Sequence, residues 1–345
     1  MAEGARTGRR RLLVGALAAA AAAGAAAGVA ALLRARRPIS EEGGPLAARP
    51  AEELRIRSFD GTELAVGLEG PAGALPTLVF AHGFSLDLTS WHHQRVRFSA
   101  DHRVVSYDAR GHGRSAWARS GDYSLEALAE DLAQVLDEVV PPGPAVLIGH
   151  SMGGIAIIGL AARRPELFGD RVVGVVLADT AAADLPASGI GGPVLWAGGA
   201  LRPAVRRLAA DRRRAELAHA LATGPGGQLT RLVARVSNFG PGVADEVVDH
   251  VVRVGSRADL DVWTTLGPNL LTFDVSEGLA NVRVPALVIV GELDRITPPR
   301  AAREVLSRLP EARLVVLRGA GHTSMLERHG EFDDAVAAFL GGLPR

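Results

Sequence analysis

Short apolar runs recur along the chain and stop at glycine, aspartate or histidine. They are Leu78 to Ala81, Arg103 to Asp108, Ala145 to Ile148, Val172 to Asp179, Ala286 to Gly291 and Leu314 to Arg318. Runs of this length, rich in valine, leucine and isoleucine, predict strands buried on both faces. Ahead of them, the stretches beginning at Leu54 and Glu63 alternate with period two across Asp60-Gly61, which predicts a hairpin. Between the runs the period changes. Tyr123 to Val139 sets Leu125, Leu128, Leu132 and Leu136 on one side of a helix, and Ile155 to Arg164 is an alanine-rich helical pattern. Strands alternating with helices predict an α/β fold, a doubly wound and mostly parallel sheet covered on both faces.

The alternation stops between residues 181 and 280. Pro203 to Leu221, Leu229 to Val236 and Val243 to Val252 have helical spacing and are separated by Gly-Pro or Gly-Gly breaks. The chain thus divides into a first core part, 53–180, a helical insertion, 181–280, and a second core part, 281–345. An insertion at this point lies over the carboxyl ends of the strands, where open α/β sheets bind ligands, and is read as a cap.

Residues 1–37 have a different pattern. Leu12 to Leu33 is uncharged and lies between Arg9-Arg10-Arg11 and Arg34, Arg36 and Arg37. As a helix it spans about 33 Å, against a bilayer core of about 30 Å. This gives the expectation of an N-terminal apolar helix as a membrane anchor, with the catalytic domain outside the cytoplasm and residues 38–52 as a linker. The alternative is a cleaved export signal followed by secretion, since Arg9-Arg10-Arg11-Leu12-Leu13 loosely resembles a twin-arginine leader.

Composition narrows the chemistry. Cysteine and lysine are both absent, which excludes a thiol nucleophile, thiolate metal sites and a lysine Schiff base. Net charge is zero, but residues 1–37 carry seven arginines against Glu3, so the remainder is acidic. An acidic body without zinc-finger, helix-turn-helix or aromatic RNA-binding patterns argues against nucleic acid as a partner. Asp108 to Ser115 is glycine-rich but lacks the lysine and following Ser/Thr of a phosphate loop, and no cluster has metal-ligand spacing, so no cofactor is expected.

The chain's clearest chemical signal is Gly149-His150-Ser151-Met152-Gly153, at the junction of a predicted strand and a predicted helix. A strained turn there needs glycines that lack a Cβ, and it holds Ser151 out beside a helix N-terminus. The amide of Met152 and the positive end of that helix suit a developing anion.

Five segments in order, His82-Gly-Phe84, Tyr107-Asp-Ala-Arg-Gly-His-Gly-Arg-Ser115, Gly149 to Gly154, Gly291-Glu-Leu-Asp294 and Gly319-Ala-Gly-His322, resemble the α/β-hydrolase superfamily. The similarity covers residues from about 54 to 341 and is to the capped esterase, lipase and cofactor-free haloperoxidase-like branch. The resemblance implies a triad of Ser151, Asp294 and His322, with an oxyanion hole from the amides of Phe84 and Met152. It implies hydrolysis of small-to-medium apolar carboxylic esters through an acyl-enzyme. Two alternatives stand beside this reading: a perhydrolase, in which peroxide attacks the acyl-enzyme, and a non-catalytic binding protein on the same fold. Asp179, also at a strand end, rivals Asp294 as the acid. Glu292 is expected to be a hydrogen-bonded neighbour, His82 to shape the oxyanion loop, and His92, His93, His112 and His150 to be structural. Epoxide hydrolases and haloalkane dehalogenases carry an aspartate where this chain has Ser151.

Overall fold

A computed structural model describes residues 45–183, 228–258 and 262–343. Eight strands form one sheet: β1 (Glu52–Arg57), β2 (Glu63–Glu69), β3 (Thr77–Ala81), β4 (Val104–Tyr107), β5 (Ala145–His150), β6 (Val172–Ala178), β7 (Ala286–Gly291) and β8 (Ala312–Leu317). Their spatial order is β1-β2-β4-β3-β5-β6-β7-β8. Strand β2 is antiparallel to both of its neighbours, and every later pairing is parallel. The hairpin turns where the alternation predicts it, with Gly61 at φ 80° supplying a conformation that residues with a Cβ avoid.

The helices lie on both faces. Helices α2 (Leu125–Glu138) and α3 (Met152–Arg163) cover one face, and α1 (His92–Phe98) covers the other. Strand β5 shows the consequence of its period: Leu147 packs into the core under α2 and α3, whereas Val146 and Ile148 pack into the opposite core with Trp91 and Phe332. All of its positions are buried, and each such side chain contributes about 1.5–3 kcal/mol. Helix α2 begins at Leu125, two residues inside the predicted start, because the Ser124 side chain caps the amide of Ala127.

Between β6 and β7 the described elements include α4 (Gln228–Asn238) and α5 (Asp245–Arg257), followed by a π-helical turn at Val262–Leu266. The predicted helix over Pro203 to Leu221 lies outside the described residues. After β7 come α6 (Pro299–Ser307) and α7 (His329–Gly341).

The expectation of a membrane-spanning helix is corrected. Among the described residues no helix is long and apolar enough to cross a membrane, and Leu12 to Leu33 lies outside them. That segment is also mostly alanine, with only seven Leu or Val, so its transfer into hydrocarbon is weakly driven.

Candidate active site

The turn between β5 and α3 sets Ser151 at φ 50° and ψ −115°, a conformation unusual for a residue with a side chain. Its neighbours make that turn possible. A Cβ at Gly149 would fall 2.5 Å from the Gly153 backbone, and one at Gly153 only 2.1 Å from the Ala81 carbonyl oxygen. Ser151 is held by its amide, which donates to the Ala178 carbonyl, and by the Thr180 hydroxyl, which donates to the Ser151 carbonyl.

His322 lies in the loop after β8 and Asp294 in the loop after β7. The distance from His322 Nε2 to Ser151 Oγ is 3.0 Å, and from His322 Nδ1 to Asp294 Oδ2 it is 2.9 Å. Asp294 is further held by the amides of Ile296 and Thr297 at Oδ1 and by the Thr297 hydroxyl at Oδ2. Burial opposes ionisation of Asp294, but the His322 charge and these donors outweigh it and hold the carboxyl below its usual range. Burial likewise works against a charged His322, yet the Asp294 carboxylate prevails and raises the imidazole above its ordinary value. The structure therefore brings Ser151, His322 and Asp294 into one hydrogen-bonded chain, through residues separated by 171 and 28 positions.

Asp179 is close by but differently used. Its Oδ1 accepts the Gly291 amide, and its Oδ2 accepts the amide and hydroxyl of Ser324. Burial and the adjacent Asp294 push its carboxyl up to about 8. It ties the ends of β6 and β7 to the segment that follows His322, while the imidazole itself faces Asp294. Glu292 accepts the Gly319 amide, as the neighbour that the sequence predicts.

The loop after β3 closes the other side. A Cβ at Gly83 would lie 3.3 Å from Ser151 Cβ, so the backbone leading into Phe84 passes against the serine. Two histidines shape this loop. His82 Nε2 accepts the Ala109 amide, which leaves its Nδ1 to donate to the Gly83 carbonyl at 2.8 Å. His112 Nε2 accepts the Ser85 amide, and its Nδ1 donates to the Arg110 carbonyl. Burial lowers the His112 imidazole to about 3, which keeps Nε2 an acceptor. His150 is buried and donates from Nε2 to the His322 carbonyl. Met152 begins α3, where helix amides have no intrahelical acceptor. The Phe84 ring packs edge-on against Trp263 at 4.9 Å and near His112 at 6.1 Å.

Four contributors escape sequence reading. Thr297 bonds Asp294 and lies 3.2 Å from His322 Nδ1. Asn238 and Glu327 hold the histidine loop through its backbone, and Trp263 packs its ring against that of Phe84. Only Thr297 has a local signal, an Asp followed three residues later by a hydroxyl. Among the described residues, no three His, Asp or Glu side chains are grouped to hold a metal ion.

A mostly parallel sheet with a hydroxyl, an imidazole and a carboxylate gathered beyond its strand ends defines a hydrolase of the α/β class. The chain belongs to the alpha/beta hydrolase family, whose profile matches residues 78–337. Among its relatives, 3-oxoadipate enol-lactonase 2 of Acinetobacter baylyi is 28% identical over 268 residues, covering 77% of this chain and 88% of its own. Epoxide hydrolase A of Mycobacterium tuberculosis is 29% identical over 332 residues, 84% of this chain and 97% of its own. The crystal structure of the enol-lactonase from Burkholderia xenovorans is similar with a TM-score of 0.64 at 26% identity, over 84% of this chain and 100% of that one.

Proposed function

We propose that this hydrolase cleaves carboxylic esters through a covalent acyl-serine. The observation that carries the reading is the continuous contact from Ser151 Oγ to His322 Nε2 and from His322 Nδ1 to Asp294. A serine hydroxyl is a weak nucleophile at neutral pH and needs a base at hydrogen-bonding distance. In the proposed reaction Ser151 Oγ attacks the carbonyl carbon and its proton passes to His322 Nε2. Asp294 orients the ring and stabilises the imidazolium. The amides of Phe84 and Met152 receive the charge on the carbonyl oxygen. His322 then returns the proton to the departing alcohol. A water, deprotonated by His322, releases the acid and restores Ser151.

The similarity to lactonases fits the same chemistry, because a lactone is a cyclic ester. An epoxide has no carbonyl to form an acyl-serine, and Ser151 occupies the position where epoxide hydrolases have an aspartate nucleophile. The rings of Phe84 and Trp263, together with the helices α4 and α5 as a cap, favour an apolar acyl or alcohol group of small-to-medium size.

The test is hydrolysis of p-nitrophenyl esters from acetyl to palmitoyl and of simple lactones, with Ser151→Ala beside the parent. Turnover by the parent, loss in the variant and labelling of Ser151 by a fluorophosphonate are expected. A parent that neither turns over any ester nor reacts with the fluorophosphonate would reject the reading. Replacing Trp263 by alanine is expected to shift the chain-length optimum towards longer or bulkier acyl groups. An unchanged optimum would remove Trp263 from the acyl pocket.

A further inference from the structure

His150, which the sequence marks only as structural, touches each of the segments that meet at Ser151. It is the last residue of β5, so its backbone runs straight into the turn that carries the proposed nucleophile. Its Nε2 lies 2.7 Å from the carbonyl oxygen of His322. Its other ring nitrogen faces the oxyanion loop. A Cβ at Gly83 would fall 2.5 Å from Nδ1, so the ring sits in space that the glycine leaves open. Trp91 packs edge-on against it, with ring centres 6.4 Å apart, and the side chain is buried.

Hydrogen-bond chemistry fixes what this ring does. A carbonyl oxygen only accepts, so the proton is on Nε2 and the ring donates it to His322. Nδ1 is then a bare lone pair, buried without a partner among the described residues. An unpaired buried acceptor is disfavoured, and an apolar side chain of the same size would fill the space without that penalty. The bond from Nε2 is therefore the contact for which an imidazole is needed here. Burial and the neighbouring His322 charge push the His150 ring down to about 3, so it stays neutral at neutral pH. It sets no like charge beside the imidazolium proposed at His322, whose ring centre is 5.0 Å away. The His322 amide, for its part, donates to the Asn238 carbonyl. Both backbone polar groups of His322 are thus held, one by the helical insertion and one by the residue next to Ser151.

We infer that His150 is a positioning residue for the ester hydrolysis proposed above. Its Nε2–H holds the His322 backbone at a fixed distance from Ser151, so that the imidazole meets Oγ and Asp294 together. The inference rests on that reading of the site. Without the donor, the His322 carbonyl faces an apolar side chain and the loop turns to find another partner. His322 Nε2 then leaves its 3.0 Å contact with Oγ, and a misplacement of about 1 Å costs about a hundredfold in rate.

The test compares His150→Leu and His150→Met, which lack the donor, with His150→Gln, whose amide nitrogen reaches the place of Nε2. Turnover of p-nitrophenyl esters is followed against pH, and urea unfolding reports the fold. The donor-free variants should lose about a hundredfold in kcat, with KM within about twofold of the parent. Their acid limb should move down towards about 6.5, because an imidazole displaced from Asp294 is no longer raised by it. His150→Gln should recover about tenfold of that loss and keep the parent midpoint. A side chain that only fills the core would lower the stability of every variant without moving the acid limb of the folded enzyme. Nitrogen NMR of the histidine side chains needs no folded donor-free variant. The signals that His150→Gln removes should be those of a neutral Nε2–H ring from about pH 5 to about pH 9. The inference is overturned by parent-like kcat and acid limb in a folded donor-free variant, by equal losses in the leucine and glutamine variants, or by an Nδ1–H or charged ring in the spectra. A parent that neither turns over esters nor reacts with a fluorophosphonate rejects the ester-hydrolase reading and this role with it. An active parent matched by its donor-free variants rejects the role of His150 alone.

Discussion

At the scale of single residues, the proposed base makes a pH prediction. His322 must be neutral to accept the serine proton, so activity is lost as pH falls through its folded pKa. Because Asp294 raises that value, the acid limb of kcat/KM should have its midpoint above histidine's ordinary value of about 6.5. Asp294→Asn removes the raising charge. The midpoint should then move down, with kcat reduced about ten-thousandfold, as when the orienting carboxylate of a serine protease is replaced. An unchanged midpoint would mean that another group limits the rate. Ser151→Ala should leave less than about one part in ten thousand of the parent kcat, read from ester turnover. Ser151, Asp294 and His322 were legible because each lies in a short segment whose glycines announce a sharp turn at a strand end. Thr297 was hidden by its proximity to Asp294, where a local turn and a contact with the histidine look alike. Asn238 acts through its backbone carbonyl, which no residue type advertises, and the Glu327 carboxylate holds backbone amides of glycines whose position only the fold reveals. Asp179 had the right position for an acid, and only the direction of its hydrogen bonds separates it from Asp294.

At the scale of elements, the tight seat of α3 against the sheet determines how much the elbow can tolerate. Gly153→Ala puts a methyl 2.1 Å from the Ala81 carbonyl oxygen. Backbone atoms cannot yield as a side chain would, so a loss of about 1–3 kcal/mol in urea unfolding is expected, with loss of turnover because Ser151 shifts. The loop after β4 is anchored differently. Arg110, without solvent exposure, bonds both oxygens of the equally buried Asp131 on α2 and reaches Asp60 in the hairpin turn. Replacing Arg110 by leucine strands a buried carboxylate, so stability should fall by about 3–5 kcal/mol in the same urea experiment. Among the elements, buried strands were the most readable, since both faces demand apolar side chains. Strand β8 begins two residues before its predicted start because it is an edge strand, in which Arg313 and other partly exposed positions interrupt the apolar run. Helix α1 was missed because His92-His93-Gln94-Arg95 hides its buried side behind polar residues, two of which, Gln94 and Arg95, are nearly inaccessible. Gln94 bonds Asp333 and the Met325 carbonyl, and Arg95 bonds Glu69.

At the scale of the whole molecule, the alternation of strand and helix implied the sheet, but the position of β4 between β2 and β3 depends on crossovers that local patterns do not encode. The helical insertion between β6 and β7 was readable from the break in alternation. Its contacts with the site were not, because they join residues far apart in the chain. The Asn238 carbonyl, at the carboxyl end of α4, accepts the amide of His322 at 2.6 Å. The carboxylate of Glu327 receives the amides of Gly240 and Gly321. Gly321 also packs so closely that a Cβ there would meet the Asn238 and Phe239 backbone within 2.7 Å. The insertion is thus riveted to His322 at one end, like a door whose hinge pin is also the lock bolt. Play in that joint would register first as misalignment of His322 with Ser151, and only afterwards as a wider passage to solvent.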